Sequence, residues 1–176
     1  MGRRRRVLAA VAIVALSSVV VGVGAVGAED TNTQFTITGG NLAITVPSNA
    51  DLGSVTAGSA LVSGSLGTVS VSDTRQLFAA AWTASVSSTD FTTGGASAEE
   101  TVSKTNVAYV TGAPTASTGT GVFTPVGAVT FAAPGVAGAW VGTGNNSVSW
   151  NPTVTVTLPP GQSAGTYTGV ITHSVA

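Results

Sequence analysis

The chain has 176 residues, of which 7% are charged, with 23 glycines, one histidine and no cysteine. This length suits one domain with a sizeable core, and the lack of cysteine excludes disulfides and thiol chemistry. Without the arginines of the N-terminal segment, two basic residues face seven acidic ones, a formal charge of −5, so the chain lacks the basic surface that nucleic-acid binding requires.

Residues 1–28 have the pattern of an N-terminal signal peptide helix. Arg3 to Arg6 form a basic region, an apolar region follows from Val7, and Val26-Gly27-Ala28 supplies the small residues that signal peptidase reads. We expect cleavage after Ala28. The alternative is an uncleaved transmembrane helix, since the apolar run is long enough to span a bilayer. The arginines also fit a loose twin-arginine pattern, so the general secretory and twin-arginine routes both remain open.

The first segments after residue 28 alternate in the manner of strands. Thr31 to Thr38 places Phe35 and Ile37 on one face, and Gly39-Gly40-Asn41 then predicts a turn into a second strand from Leu42. The small-residue stretch from Asn49 to Ser65 predicts a short edge strand.

Residues 67–91 contain two alternating strands joined by a short connection, and we expect them at the centre of a sheet. Val69, Val71, Asp73 and Arg75 share one parity, so two charged groups point the same way as core residues. A charge on a buried face needs a partner, which predicts a structural Asp73–Arg75 ion pair. The alternative is a site for a ligand carboxylate or a sugar.

The second strand of this stretch places Trp82, Ala84 and Val86 on one face and threonine and serine on the other. That alternation is typical of a half-buried antiparallel strand.

The C-terminal half contains further strand signals. Residues 106–110 predict a strand, whereas the low-complexity stretch 112–121 predicts turns, and 132–144 predicts a Gly/Ala-rich loop or edge segment that exposes Trp140. Residues 147–158 predict a long strand that Pro152 interrupts. The last strand signal, residues 166–175, places His173 in phase with Ile171 and Val175.

No helical period is visible after residue 28. Short strands separated by turns predict an all-β fold, a single antiparallel β-sandwich of immunoglobulin-like or jelly-roll-like type over residues 29–176.

The central and C-terminal segments resemble the WxL surface-domain family of Gram-positive bacteria, and more closely its secreted actinobacterial relatives. The residues that carry the resemblance are Val71-Ser72-Asp73-Thr74-Arg75, Trp82-Thr83-Ala84, Ser88-Thr89-Asp90-Phe91 and Gly165-Thr166-Tyr167-Thr168-Gly169. The W-x-L motifs themselves are degenerate, reading Trp82-Thr83-Ala84 and His173-Ser174-Val175. The resemblance implies an exported β-sandwich held non-covalently on cell wall peptidoglycan.

Few side chains suggest a binding, catalytic or metal-ligating role. Exposed indoles stack on sugar rings, so the candidate binding residues are Trp82, Trp140 and Trp150. Trp82 and Trp150 are in phase with aliphatic residues, however, which favours core packing for these two. His173 is a candidate for a hydrolytic triad, yet no G-x-S-x-G pattern accompanies it. We expect no metal site, since no second histidine or carboxylate-rich loop supplies ligands, and no cofactor.

Three functional hypotheses follow. The first is a non-catalytic, secreted cell-surface protein associated with wall polysaccharide, peptidoglycan or other surface proteins, touching a membrane only through an uncleaved signal segment. The second is a self-assembling extracellular matrix or surface-layer protein, in which the strand predicted over Thr31 to Thr38 adds to a neighbour's sheet. The third, a secreted hydrolase, requires a polar pocket around His173.

Overall fold

The computed structural model describes Glu29 and residues 31–176. The chain divides into two units, Met1–Thr36 and Ile37–Ala176, and the strands described here belong to the second. The predicted signal peptide and its cleavage site after Ala28 lie outside the described residues. Within the described part of the chain, no helix has the length and apolar character needed to cross a membrane.

The second unit consists mainly of antiparallel β-strands, so the predicted all-β class is confirmed. Helical structure among the described residues is limited to two 3-10 turns, Ala98–Glu100 and Lys104–Asn106. The strands are β1 (Leu42–Thr45), β2 (Leu61–Ser65), β3 (Val69–Asp73), β4 (Ala80–Ser88), β5 (Phe91–Thr92), β6 (Thr101–Val102), β7 (Val107–Val110), β8 (Pro114–Pro125), β9 (Ala128–Thr130), β10 (Gly135–Trp150), β11 (Thr153–Thr157) and β12 (Ile171–Val175).

The larger of the sheets has six strands and is organised around β10. On one edge of β10 lies β8, and on the other edge lie β3 and β4, one after the other: Val71 is opposite Val148, and Trp82 is opposite Trp140. The strands β1 and β12 then pair with β3 and β4 respectively. Strands β3 and β4 therefore run end to end along one neighbour and do not form a hairpin with each other.

The smaller sheet has the order β2-β11-β7-β9, and β5 and β6 form a separate short pair. Between β10 and β11 the chain passes from the larger sheet to the smaller one at Pro152. The single interrupted strand predicted over residues 147–158 is in fact β10, which ends at Trp150, and β11, which begins at Thr153 in the other sheet. Proline cannot donate to a strand ladder, so it suits this corner between sheets.

One hydrophobic core receives side chains from both sheets. Burial alternates along β3 and β4 as the parity of residues 67–91 predicts, so that prediction is confirmed. Each large apolar side chain removed from water contributes about 1.5–3 kcal/mol, which makes this shared core the main stabilising feature. Its largest members are Trp140, Trp150, Tyr109, Phe131, Trp82, Val69, Val71 and Val148.

The strand predicted over Thr31 to Thr38 is wrong. These residues form no strand, and Phe35 and Ile37 are 85% and 83% exposed. Strand β1 pairs with β3 and not with the preceding segment. Next to this pair, Asn41 O accepts from Thr74 N at 2.8 Å, and Asn41 N donates to Thr74 Oγ1 at 2.9 Å. This connection aligns β1 with β3, so β1 does not need a hairpin with the preceding segment.

The turn region predicted over residues 112–121 is also wrong, because most of it lies in β8. The long strand β10 supplies the backbone partners that these small residues need. Thr118 Oγ1 lies 2.7 Å from Ser147 Oγ across the ladder, and Gly119, with φ of +99°, accommodates an irregularity in the pairing. Only glycine adopts such a φ readily.

Candidate functional site

The three tryptophans are parts of a buried ladder of aromatic rings. Trp82, Trp140 and Trp150 are 2%, 1% and 0% exposed. The rings of Trp140 and Trp82 stack with centroids 6.4 Å apart, Phe123 lies 5.8 Å from Trp82, and Trp150 stacks on Phe123 at 5.3 Å. A sugar-binding platform needs open ring faces. The tentative assignment of these three indoles as binding residues is therefore wrong.

Among the three indoles, the position of Trp140 differs most from the prediction. Its ring was expected to be exposed in a loop or edge segment, but it is buried. Gly138 and Gly142 lie two residues before and after Trp140 and so share its face of β10. A Cβ atom at Gly142 would lie 2.8 Å from Trp140 Nε1, and one at Gly121 on β8 would lie 2.6 Å from Trp140 Cζ2. The glycines that suggested a loop thus provide the space for a buried indole.

A polar cluster contacts the aromatic ladder at Trp82, the ring between Trp140 and Phe123. The Asp73 side chain is fully buried, its Oδ1 accepts from Arg75 N at 3.0 Å and Nε at 2.9 Å, and its Oδ2 accepts from Arg75 Nη2 at 2.9 Å. Asn146 lies opposite Asp73 in the ladder, and its Oδ1 accepts from Trp82 Nε1 at 2.8 Å. We call Asp73, Arg75, Asn146 and Trp82 the Asp73 cluster.

The electrostatics of the Asp73 cluster fit an internal role. The hydrogen bonds from Arg75 hold the pKa of Asp73 below its usual value, although burial opposes this shift. The same contact raises the pKa of Arg75. Arg75 Nη2 also donates to Ala81 O at 3.1 Å, which ties the connection between β3 and β4 to the start of β4. Most donors of the guanidinium are thus committed within the chain.

A second polar group, the His173 cluster, lies among the rings at Trp150. Tyr109 Oη accepts from Trp150 Nε1 at 3.0 Å and lies 3.1 Å from His173 Nε2. A phenol oxygen both donates and accepts, so the direction of the Tyr109–His173 hydrogen bond is set by which imidazole nitrogen, Nε2 or Nδ1, carries the hydrogen. His173 Nδ1 is buried and has no hydrogen-bond partner among the described residues.

Burial governs the titration of the His173 cluster. It lowers the pKa of His173 to about 4 and raises the pKa of Tyr109 to about 12, the latter against the hydrogen bond from Trp150. The imidazole contacts a phenol, and the side-chain hydrogen bonds of the described residues link it to neither a carboxylate nor a serine. The described residues also contain no group of three His, Asp or Glu side chains placed to hold a metal ion.

The outward side of the larger sheet forms an uncharged surface, here called the outer face. Asp73, which is buried, is the one charged residue in the twelve strands that the structure describes. Val141 on β10 and Val122 on β8, 70% and 67% exposed, lie opposite each other on this face, which also carries Val136. Its other side chains include small and hydroxyl-bearing residues: Ser70, Ser72, Ala81, Thr83, Ala116, Thr118, Thr120, Thr124, Ala139, Thr143, Ser147 and Ser149.

A cavity of about 1350 Å³, here called the open groove, lies between residues 46–60 and residues 158–171. Its inner wall is apolar, and His173 contributes to it. This cavity does not follow from the sequence, because the small residues from Asn49 to Ser65 predict only a short edge strand. The partly exposed apolar side chains of this wall are Val62, Leu66, Phe91, Leu158 and Ile171, whereas Val69, Val102, Val154 and Val156 in the same lining are buried core residues.

No protein family model, no curated protein and no solved structure matches this chain.

Proposed function

We propose that this protein is a non-catalytic, exported cell-surface protein of the WxL-like class, a single β-sandwich that associates non-covalently with cell wall peptidoglycan. The motif residues around Asp73 and Trp82 support this proposal, because the resemblance rests on them and they adjoin one another in the Asp73 cluster. Two sheets that share one core are the arrangement expected of a sandwich.

The uncharged outer face is the observation that carries the proposal. A chain with a formal charge of −5 after residue 28 is repelled by anionic polymers wherever its carboxylates meet them. The outer face lacks charged side chains and combines hydroxyls with the exposed valines Val122 and Val141. Sugar polymers likewise combine hydroxyls with apolar C–H surfaces, so the two surfaces are chemically complementary.

The experiment is a retention assay on isolated cell walls. The protein is expressed from its full coding sequence, and its N terminus is read by mass spectrometry, which also tests cleavage after Ala28. We expect the unaltered protein to be retained at physiological salt and Val141→Glu to reduce retention by at least about tenfold, because the charge loses its water in the contact.

Val170→Glu is the matched control for this assay, since Val170 is 59% exposed and lies outside the strands. It introduces the same charge and is expected to keep full retention. Retention of neither form, or equal retention of both variants, would contradict the proposal.

Self-assembly is the second candidate function, and the free edge of β8 favours it. Pro114–Pro125 pairs only with β10, so its other edge is unpaired, and it carries no charged side chain. Natural edge strands usually carry charges that prevent pairing with other chains. Size-exclusion chromatography at increasing concentration tests this candidate: a persistent monomer would exclude it.

A further inference from the structure

Residues 31–38, here called the donor segment, belong to no strand and pair with none of the described strands. Phe35 and Ile37 are two residues apart, which places them on the same side of an extended chain, and both are more than four-fifths exposed. The segment carries no charged side chain. Among the described residues, none of its backbone groups is hydrogen bonded to another residue. The donor segment thus has the side-chain pattern of a strand but no sheet.

The open groove has the complementary features. Its inner wall is apolar, and β2, which contributes Val62 to it, is the edge strand of the smaller sheet. β2 pairs with β11 on one side only, from Leu61 opposite Thr157 to Ser65 opposite Thr153. The other edge of β2 therefore presents free N–H and C=O groups beside an apolar surface, which is what an added strand needs.

Residues 48–59, which lie over the open groove, are held weakly. The hydrogen bonds that the described structure gives them are internal, as between Gly53 N and Asp51 Oδ1 at 2.8 Å or Ser59 N and Thr56 O at 3.1 Å. Leu52 is the side chain of this stretch that packs against the core. The Leu52 backbone also lies against Gly64 of β2, so moving the stretch aside means breaking the contacts of Leu52, while no hydrogen bond to the described sheets is lost.

The size and charge of the open groove identify its occupant. Small-molecule pockets are typically about 300–1,000 Å³, and this cavity exceeds that range. Its lining contains one charged residue, Asp51, so an uncharged segment enters it without repulsion. An uncharged strand that presents two large apolar side chains on one side is chemically compatible with this apolar wall.

We propose that the donor segment of one copy of this protein lies in the open groove of a second copy, where it adds a strand along the free edge of β2 and buries Phe35 and Ile37. This proposal rests on the second candidate function, self-assembly, and identifies its contact. Donor and acceptor surfaces differ, so the contact is heterologous and leads to open, linear assemblies or to rings rather than to simple two-fold dimers.

The first test compares assembly of three proteins, each expressed from the full coding sequence, by light scattering and electron microscopy over a range of concentrations. We expect the unaltered protein to assemble and the double variant Phe35→Ser/Ile37→Ser to need roughly a hundredfold higher concentration, because two buried apolar side chains are lost. The control Phe78→Ser removes a 94% exposed phenylalanine elsewhere and is expected to assemble normally.

The second test locates the contact between two copies of the protein by disulfide cross-linking. The chain has no cysteine, so the single variants Ile37→Cys and Val62→Cys can be mixed and oxidised. We expect mixed dimers from this pair and few from the control pair Phe78→Cys and Val62→Cys. Equal cross-linking of both pairs would overturn the assignment, as would a self-linked Val122→Cys variant, which would indicate contact through the outer face.

The results of these tests distinguish the donor contact from self-assembly through another surface and from association with the cell wall. A monomer at every concentration overturns the inference together with self-assembly. Assembly that persists in Phe35→Ser/Ile37→Ser, with an unchanged melting temperature, overturns the donor contact alone. Retention on cell walls is measured on the same variant, and we expect it to be unchanged, since Phe35 and Ile37 lie outside the strands of the outer face.

Discussion

The Asp73 cluster and the His173 cluster place polar groups in the same aromatic core by opposite means. Asp73 is charged, and its two carboxylate oxygens receive three hydrogen bonds from Arg75. Burial disfavours the charged form of His173, and its Nδ1 is buried without a hydrogen-bond partner among residues 31–176. The first cluster stabilises a charge by pairing it, whereas the second avoids a charge by lowering the pKa of the imidazole. The two clusters are therefore expected to lose their contributions to stability at different pH values and after different mutations.

The largest effect is expected from Arg75→Ala. Removing the guanidinium leaves the Asp73 carboxylate buried without its main partner, and breaking a buried pair typically costs about 3–5 kcal/mol. Because the Arg75 side chain is 28% exposed, water replaces part of the contact, and we expect the lower end of this range. Chemical denaturation measures the change in the free energy of unfolding.

Lys104→Ala is the control for Arg75→Ala, since it also removes one positive charge but the described structure gives Lys104 no ion pair. We expect it to change the free energy of unfolding by less than about 0.5 kcal/mol. Equal effects of the two substitutions on the free energy of unfolding would show that Arg75 does not stabilise the buried Asp73 carboxylate.

Acid titration is expected to separate the clusters by pH. The unfolded chain protonates His173 near its ordinary pKa of 6.5, whereas the native state does so only near 4. Stability therefore falls as the pH drops between these values, by up to about 3 kcal/mol at about 1.4 kcal/mol per pKa unit. The pKa of Asp73 is lowered from 3.8, so its contribution is lost only below that value.

His173→Leu is the variant that isolates the first of these two phases. Denaturant midpoints measured at a series of pH values should lose their slope between about pH 6.5 and 4 in this variant and keep the slope at lower pH. An unchanged slope in His173→Leu would show that another group titrates in that range.

A smaller effect is expected at Gly142, beside the Trp140 ring that stacks on Trp82 of the Asp73 cluster. In Gly142→Ala the new Cβ would contact Thr120 O and Trp140 Nε1, and overpacking of this kind typically costs about 1–3 kcal/mol. Thermal unfolding and the near-ultraviolet signal of the indoles measure the change. Gly127→Ala, where the Cβ would meet no atom within 4 Å, should leave both unchanged.

Part of the fold and of the candidate sites could be predicted from local alternation. Strand β7 and the buried faces of β3 and β4 follow from period-two patterns, because side chains two apart share a face whatever the neighbouring strands are. The contact between Asp73 and Arg75 is of the same kind, since the two residues lie only two positions apart. Local patterns do not show, however, that Asn146 and Tyr109 complete the two clusters, since these residues are distant in sequence.

The sequence by itself determined the all-β class and which residues of β3 and β4 face inward, because the alternation of apolar and polar side chains is a property of the strand alone. The tertiary structure decided that residues 114–121 form a strand, that Trp140 is buried between glycines, and that residues 31–38 pair with none of the strands in the described part of the chain. The physical reason is that backbone hydrogen bonds between strands and space for a large ring depend on the neighbouring strand, which the local sequence does not specify.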